Sequence, residues 1–97
     1  MTIPDAGKLL ELADRVVSGV GCDNDLDVLI EVALFEPNDT AASVRANSGG
    51  TKVIYTSHDG KDSTHWAEEW TRYRPAVARA LRARAQASPE PAIKGEG

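Results

Sequence analysis

Two glycine-containing dipeptides, Gly49-Gly50 and Asp59-Gly60, constrain this chain more than any other feature. Each accepts φ > 0 at the centre of a tight hairpin loop, so each is a strong local turn signal. Taken as two-residue loops, they pair Ser48 with Thr51 and His58 with Lys61. The result is a three-stranded antiparallel meander over Val44–Trp66. Val44 then faces Tyr55, Ala46 faces Val53, and Val53 faces Trp66. Side chains alternate with period two, so all five fall on one side of the sheet. The opposite side receives Arg45, Asn47, Lys52, Ile54, His65 and Ala67, which are mostly polar. A slip of one residue in either turn scatters the apolar face.

The flanking segments have helical rather than strand periodicity. Thr2-Ile3-Pro4-Asp5 carries a capping pattern with proline in the first turn. Leu9, Leu12, Ala13, Val16 and Val20 follow at three- and four-residue spacing, predicting an amphipathic helix that ends near Gly19 and Gly21. A second helix is expected from Asp23 or Asn24 to about Phe35, stopped by Pro37; a short buried strand over Val28–Phe35 is the alternative, and the acidic start and the length favour the helix. Its apolar residues cover more than one stripe, which makes it the most buried element. A last helix starts at Pro75 and runs to about Ala87, with a thin apolar stripe and an arginine-rich polar face. Residues 64–71 are open to two readings, because Trp66 and Trp70 are four apart and fit a helix as well as a third strand. The expected order is helix, helix, three strands, helix: a small α+β sandwich occupying residues 1–88, with 89–97 a disordered tail.

At 97 residues the chain makes one domain. It has no apolar run long enough for a membrane span and no signal-peptide layout, so a cytoplasmic location is expected. A single cysteine, Cys22, excludes an internal disulfide framework and a multi-cysteine zinc site. The net charge of −4 hides an asymmetry. Residues 1–40 carry two basic groups against nine acidic, a balance of −7. Residues 41–97 carry nine basic against six acidic, or +3. Such polarity bears on association and steering rather than on fold.

Several segments together resemble a known family. These are Lys8-Leu-Leu-Glu-Leu-Ala-Asp-Arg-Val16, the acidic second helix Asp23–Ala33, Gly50-Thr-Lys-Val-Ile-Tyr-Thr56 and Ala80-Leu-Arg-Ala-Arg-Ala85. Across about residues 5–87 the chain resembles small phage and prophage proteins with the phage ABA (alpha-beta-alpha) sandwich domain. The middle is shorter than is usual for that group, since the hairpin runs straight into the last helix. The resemblance implies a phage- or prophage-encoded accessory protein. It brings no catalytic motif and no functional residue to transfer.

Candidate chemistry is sparse. Asp23, Asp25 and Asp27 sit at the first, third and fifth positions of a calcium loop. That motif then fails at Val28, where glycine is needed, and at Leu34, where a bidentate glutamate is needed. Three acids stabilising a helix N-terminus is the plainer reading. His58 and His65, with Asp59, Asp62 or Cys22, are candidate metal or acid–base groups, but the meander separates the two histidines. Both read as surface histidines on a hairpin. Cys22 precedes a helix start, where a thiol pKa can fall, yet it lacks a base and reads as a small, partly buried residue. Glu68 and Glu69 point to opposite sides of a strand, unlike a glycosidase pair. Gly49-Gly50 lacks the lysine of a phosphate loop.

The arginine-rich stretch is the candidate binding surface. Trp70, Arg72, Tyr73, Arg74, Arg79 and Arg82 mix planar cations with aromatics, a combination that binds phosphates and stacks on bases. The same arginines also suit the helix dipole and the acidic helices of their own molecule. The expectation is a non-enzymatic protein without cofactor or metal, acting by protein–protein interaction on a host or phage protein, with inhibition of a host defence system as one form of that action. The alternative is a nucleic-acid-binding accessory domain using the same six residues, which the acidic net charge disfavours. Homodimerisation through Ile54 and Ala67, or through the edge strand 42–47, suits a core of this size.

Overall fold

The computed structural model describes residues 6–87. The Thr2–Asp5 cap and the 89–97 tail lie outside the described residues. The expected element order is borne out. Helix α1 spans Ala6–Ser18, helix α2 Asn24–Leu34, strands β1 Ser43–Ala46, β2 Val53–Thr56 and β3 Asp62–His65, and helix α3 Arg74–Ala87, preceded by one 3₁₀ turn at Trp70–Tyr73. The fold is α+β, with an antiparallel sheet in the order β1-β2-β3.

Helix α1 buries Leu9, Leu12, Ala13 and Val16, as its spacing requires. They pack with Leu26, Ile30 and Ala33 of α2 and Val77, Ala78, Leu81 and Ala85 of α3 in one core cluster. Helices α1 and α3 run antiparallel: Arg74, at the start of α3, reaches Gly21 beyond the end of α1, and Arg82 reaches back to Asp14. Helix α2 also packs on β1 and β2. Val28 on α2 and Val53 on β2 are both fully buried, and Phe35 and Tyr55 meet with ring centroids 5.8 Å apart.

The two turns have different outcomes. In the first, Ser43 pairs with Thr56, Val44 with Tyr55 and Ala46 with Val53, the expected register. The loop has four residues rather than two. Asn47 N–H bonds to Lys52 O at 3.0 Å, and the Asn47 side-chain oxygen accepts from Thr51 N at 2.9 Å and Lys52 N at 3.2 Å. An even change in loop length preserves the parity of the pairs, so the apolar face survives. The second loop has three residues: Ser57 N–H bonds to Lys61 O at 2.8 Å, and Gly60 takes φ +88°. This is the three-residue hairpin with a left-handed glycine and one bulged position. Ser57 Oγ stabilises it by accepting from Lys61 N at 3.0 Å and bonding to Asp59.

The odd loop shifts β3 by one residue. Val53 faces His65, not Trp66, and Tyr55 faces Ser63. His65 therefore lies on the helix-facing side, its ring 5.8 Å from that of Tyr55 and hydrogen-bonded to Ser63 Oγ at 2.8 Å. Trp66 moves to the open side, 66% exposed, with Lys52 Nζ 4.6 Å from its ring centroid. Residues 64–71 resolve into the end of β3, an irregular link and the 3₁₀ turn. Ala67 and Glu68 consequently leave the sheet, and Ala67 contributes nothing to its open face.

Candidate functional site

The link from β3 to α3 is held by two carboxylates on the inner side of α2. Asp27 and Glu31 stand four residues apart on one helix face and are 4% and 7% exposed. Asp27 accepts from Thr71 N at 2.7 Å. Glu31 accepts from Glu68 N at 2.8 Å and Trp70 Nε1 at 3.1 Å through one oxygen, and from Tyr55 Oη through the other. Burial and the adjacent Glu31 carboxylate push the Tyr55 phenol well above its ordinary range. Buried charges need partners of this kind, so α2 organises the whole junction. Asp23 caps α2 by accepting from Leu26 N at 3.2 Å, as the acidic start predicts. Asp27, expected with Asp23 and Asp25 to stabilise the helix start, is also buried and holds the Thr71 amide. The sequence signal for the pair was an i, i+4 acidic doublet inside an apolar stripe, and Glu31 was not singled out from it.

Arg74 closes the other side of the junction. Its guanidinium donates to Val16 O at 2.7 Å and to Gly21 O at 2.8 and 3.1 Å, with Val20 O at 3.4 Å. These carbonyls lie in the last turn of α1 and just beyond it, where a helix leaves acceptors without intrahelical donors. Gly19 permits the approach: a Cβ at this position would sit 2.6 Å from Arg74 Nη1. Of the six expected binding residues, Trp70 and Arg74 are thus engaged within the molecule, in bonds that hold the junction. Trp70 is half-buried against the core with its indole N–H taken by Glu31.

The remaining four stay at the surface. Arg72 pairs with Glu69 at 2.9 Å and Arg82 with Asp14 at 3.4 Å, both among exposed side chains. Tyr73 is 63% exposed. Arg79 makes no hydrogen bond or ion pair among the described residues. Arg72, Arg79 and Arg82 line an open groove of about 780 Å³ between the end of α1 and the start of α3. Its apolar lining includes Val17, Val20, Pro75 and Ala78, and Val20 is 93% exposed. Cys22 lies in the same groove and is exposed, not partly buried as expected.

The other candidates do not converge. His58 donates to Asn38 O at 2.6 Å at one end of the sheet, whereas His65 sits beside Tyr55. Asp62 is engaged by Arg45 at 2.9 Å and Thr56 at 2.7 Å, and these bonds hold its carboxyl below the usual range. Glu69 pairs with Arg72, so Glu68 and Glu69 are not a strand pair. Among the described residues no group of three histidine, cysteine or acidic side chains is placed to hold a metal, and no helix is long and apolar enough to cross a membrane.

The fold and groove define a small α+β protein with a cation-edged, apolar-lined surface cleft. No protein-family model matches the chain, and no curated protein or solved structure matches it.

Proposed function

We propose that this is a non-enzymatic accessory protein, of phage or prophage origin on the sequence resemblance, that acts by capturing another protein in the α1–α3 groove. Capture of a host factor, including one belonging to a defence system, is the biological form such binding takes. The observation that carries the reading is that Arg79, which makes no hydrogen bond or ion pair among the described residues, lines the same groove as the exposed Val20. A planar cation recognises a carboxylate through two parallel hydrogen bonds, and the valine surface gains from being covered. An acidic amphipathic helix offers both groups at once, with apolar and acidic residues at three- and four-residue spacing.

The alternative, nucleic acid, loses support because Trp70 is engaged by Glu31 and only Tyr73 remains of the two expected stacking rings. The net charge of −4 also opposes a polyanion.

The test uses a labelled acidic amphipathic helical peptide and a single-stranded oligonucleotide, each titrated by fluorescence anisotropy. Peptide binding that weakens by roughly tenfold or more in Arg79→Glu/Arg82→Glu, with the melting temperature held within a few degrees, is expected. Peptide affinity unchanged in the double variant, or binding of the oligonucleotide alone, overturns the reading. A nuclease-treated pull-down with the intact protein then identifies the natural partner.

A further inference from the structure

Asp27 and Glu31 are buried carboxylates for which the groove has no use, and they hold one segment of the chain. Residues 67–71 are joined to α2 and its N-cap by four hydrogen bonds, and three of these end on the two carboxylates. The fourth runs from Asp23 N to Thr71 Oγ1 at 2.8 Å. Apolar anchoring of the segment is slight: Trp70 is half-buried, Glu68 and Glu69 are exposed, and every residue of the preceding strand β3 is exposed. The helices are held differently. Their shared core is built from leucine, isoleucine, valine and alanine, none of which titrates. Segments with few buried apolar contacts open locally at a lower free energy than the core they adjoin.

The charged groups around the pair come from every neighbouring element. Asp23 lies one turn before Asp27, and β2 brings Tyr55, with His65 of β3 against its ring. The link itself brings Glu68 and the Glu69–Arg72 pair. On α3, Arg74 is held by carbonyls at the end of α1 and Arg84 by Glu36 and Phe35 O. Arg45 of β1 pairs with Asp62 on the open side of the sheet, and α1 turns apolar side chains towards α2. Among the described residues, then, no lysine or arginine pairs with Asp27 or Glu31, and the donors of the link balance their charge.

We infer that Asp27 and Glu31 form an acid-released latch: once both are protonated, residues 67–71 detach from α2 while the three-helix core stays folded. A neutral carboxyl group accepts a hydrogen bond more weakly than a carboxylate, and it carries a donor of its own. Glu31 already receives donors at both oxygens, so its added proton meets the Tyr55 hydroxyl. Thr71 and Arg72 also line the α1–α3 groove, so release opens one wall of it, whatever the groove binds.

Trp66→Phe leaves Trp70 as the sole tryptophan and makes the latch visible. Its emission and the far-ultraviolet circular dichroism are followed together from about pH 7 to about pH 3, across the range where carboxylates titrate. Emission should shift to the red at a higher pH than the one at which helix is lost. Adding Asp27→Asn/Glu31→Gln, which mimics the protonated pair, should give the red-shifted emission already at neutral pH. In that variant the Glu68 and Thr71 amides should exchange roughly tenfold faster or more, with Leu12, Ile30 and Leu81 still protected. Emission and helix signals that change together in Trp66→Phe overturn the inference. So do Glu68 and Thr71 amides that stay as protected in the triple variant as in the wild type. Should the triple variant not fold, the Trp66→Phe titration decides alone.

Discussion

Arg74 and Arg79 stand five residues apart on the same helix, and the molecule uses them in opposite ways. Arg74 is folded into the junction, where the last turn of α1 and the residues just beyond it leave carbonyls needing donors. Arg79 lies about a turn and a half further along, lines the groove and makes no hydrogen bond or ion pair among the described residues. The aromatics divide in the same manner, with Trp70 held by Glu31 and Tyr73 left exposed. Residue type is therefore a poor guide to role here. Proximity to an unsatisfied backbone group decides whether a cation becomes structural or remains available.

The division can be broken on its structural side first. Glu31→Ala removes the acceptor for two N–H groups and one hydroxyl at a buried position, and a loss of about 3 kcal/mol is expected. For a domain of this size that is a fall of more than roughly 12 °C in Tm. Glu31→Gln retains one acceptor oxygen and should recover over half of the loss. Thermal melts of the two variants check both figures. If Glu31→Ala melts like the wild type, the junction does not depend on α2.

Arg74→Ala comes next, at about 2 kcal/mol, because Val16 O and Gly21 O lose a charged donor. Arg79→Glu on the same helix should change stability by no more than about 0.5 kcal/mol, as surface substitutions generally do. Urea unfolding of the two variants side by side sharpens the comparison directly. Equal losses would erase the distinction between a structural and a free arginine.

A smaller effect separates the two turns. Gly60→Ala forces a Cβ onto φ +88° and should cost about 1 kcal/mol, with no steric clash to add to it. Chemical shifts of Ser63 and His65 show whether the shifted register survives.

The smallest effect is a titration. Burial and Glu31 raise the Tyr55 pKa, so the folded state holds the phenolic proton more tightly than the unfolded chain. That contribution is fully present below the unfolded tyrosine pKa of about 10 and is lost as pH rises through the folded value. In a Tyr73→Phe background, Glu31→Gln should move the absorbance change at 295 nm to lower pH. No movement would remove Glu31 as a cause.

The helices were legible because each carries a complete local pattern. Leu9, Leu12, Ala13 and Val16 define the inner side of α1 without reference to the rest of the chain, and Asp23 marks the start of α2. The first hairpin was legible for a weaker reason: two- and four-residue loops give the same pairs, so an error in loop length was harmless. The second was not, because the Ser57 hydroxyl stabilises a three-residue loop and one odd residue exchanges the faces of β3. Of the six expected binding residues, Arg72, Tyr73, Arg79 and Arg82 are at the surface, whereas Trp70 and Arg74 are claimed by groups 39 and 53 residues away in sequence.

By itself, then, the sequence determined the number, type and order of elements, the composition of the helical core and the charge polarity, all of which follow from local periodicity and turn chemistry. Only the tertiary structure decided the register of β3, the burial of Asp27 and Glu31 and the separate roles of Arg74 and Arg79. Each of these depends on which distant backbone group comes within hydrogen-bond reach, and that distance exists only once the chain has folded.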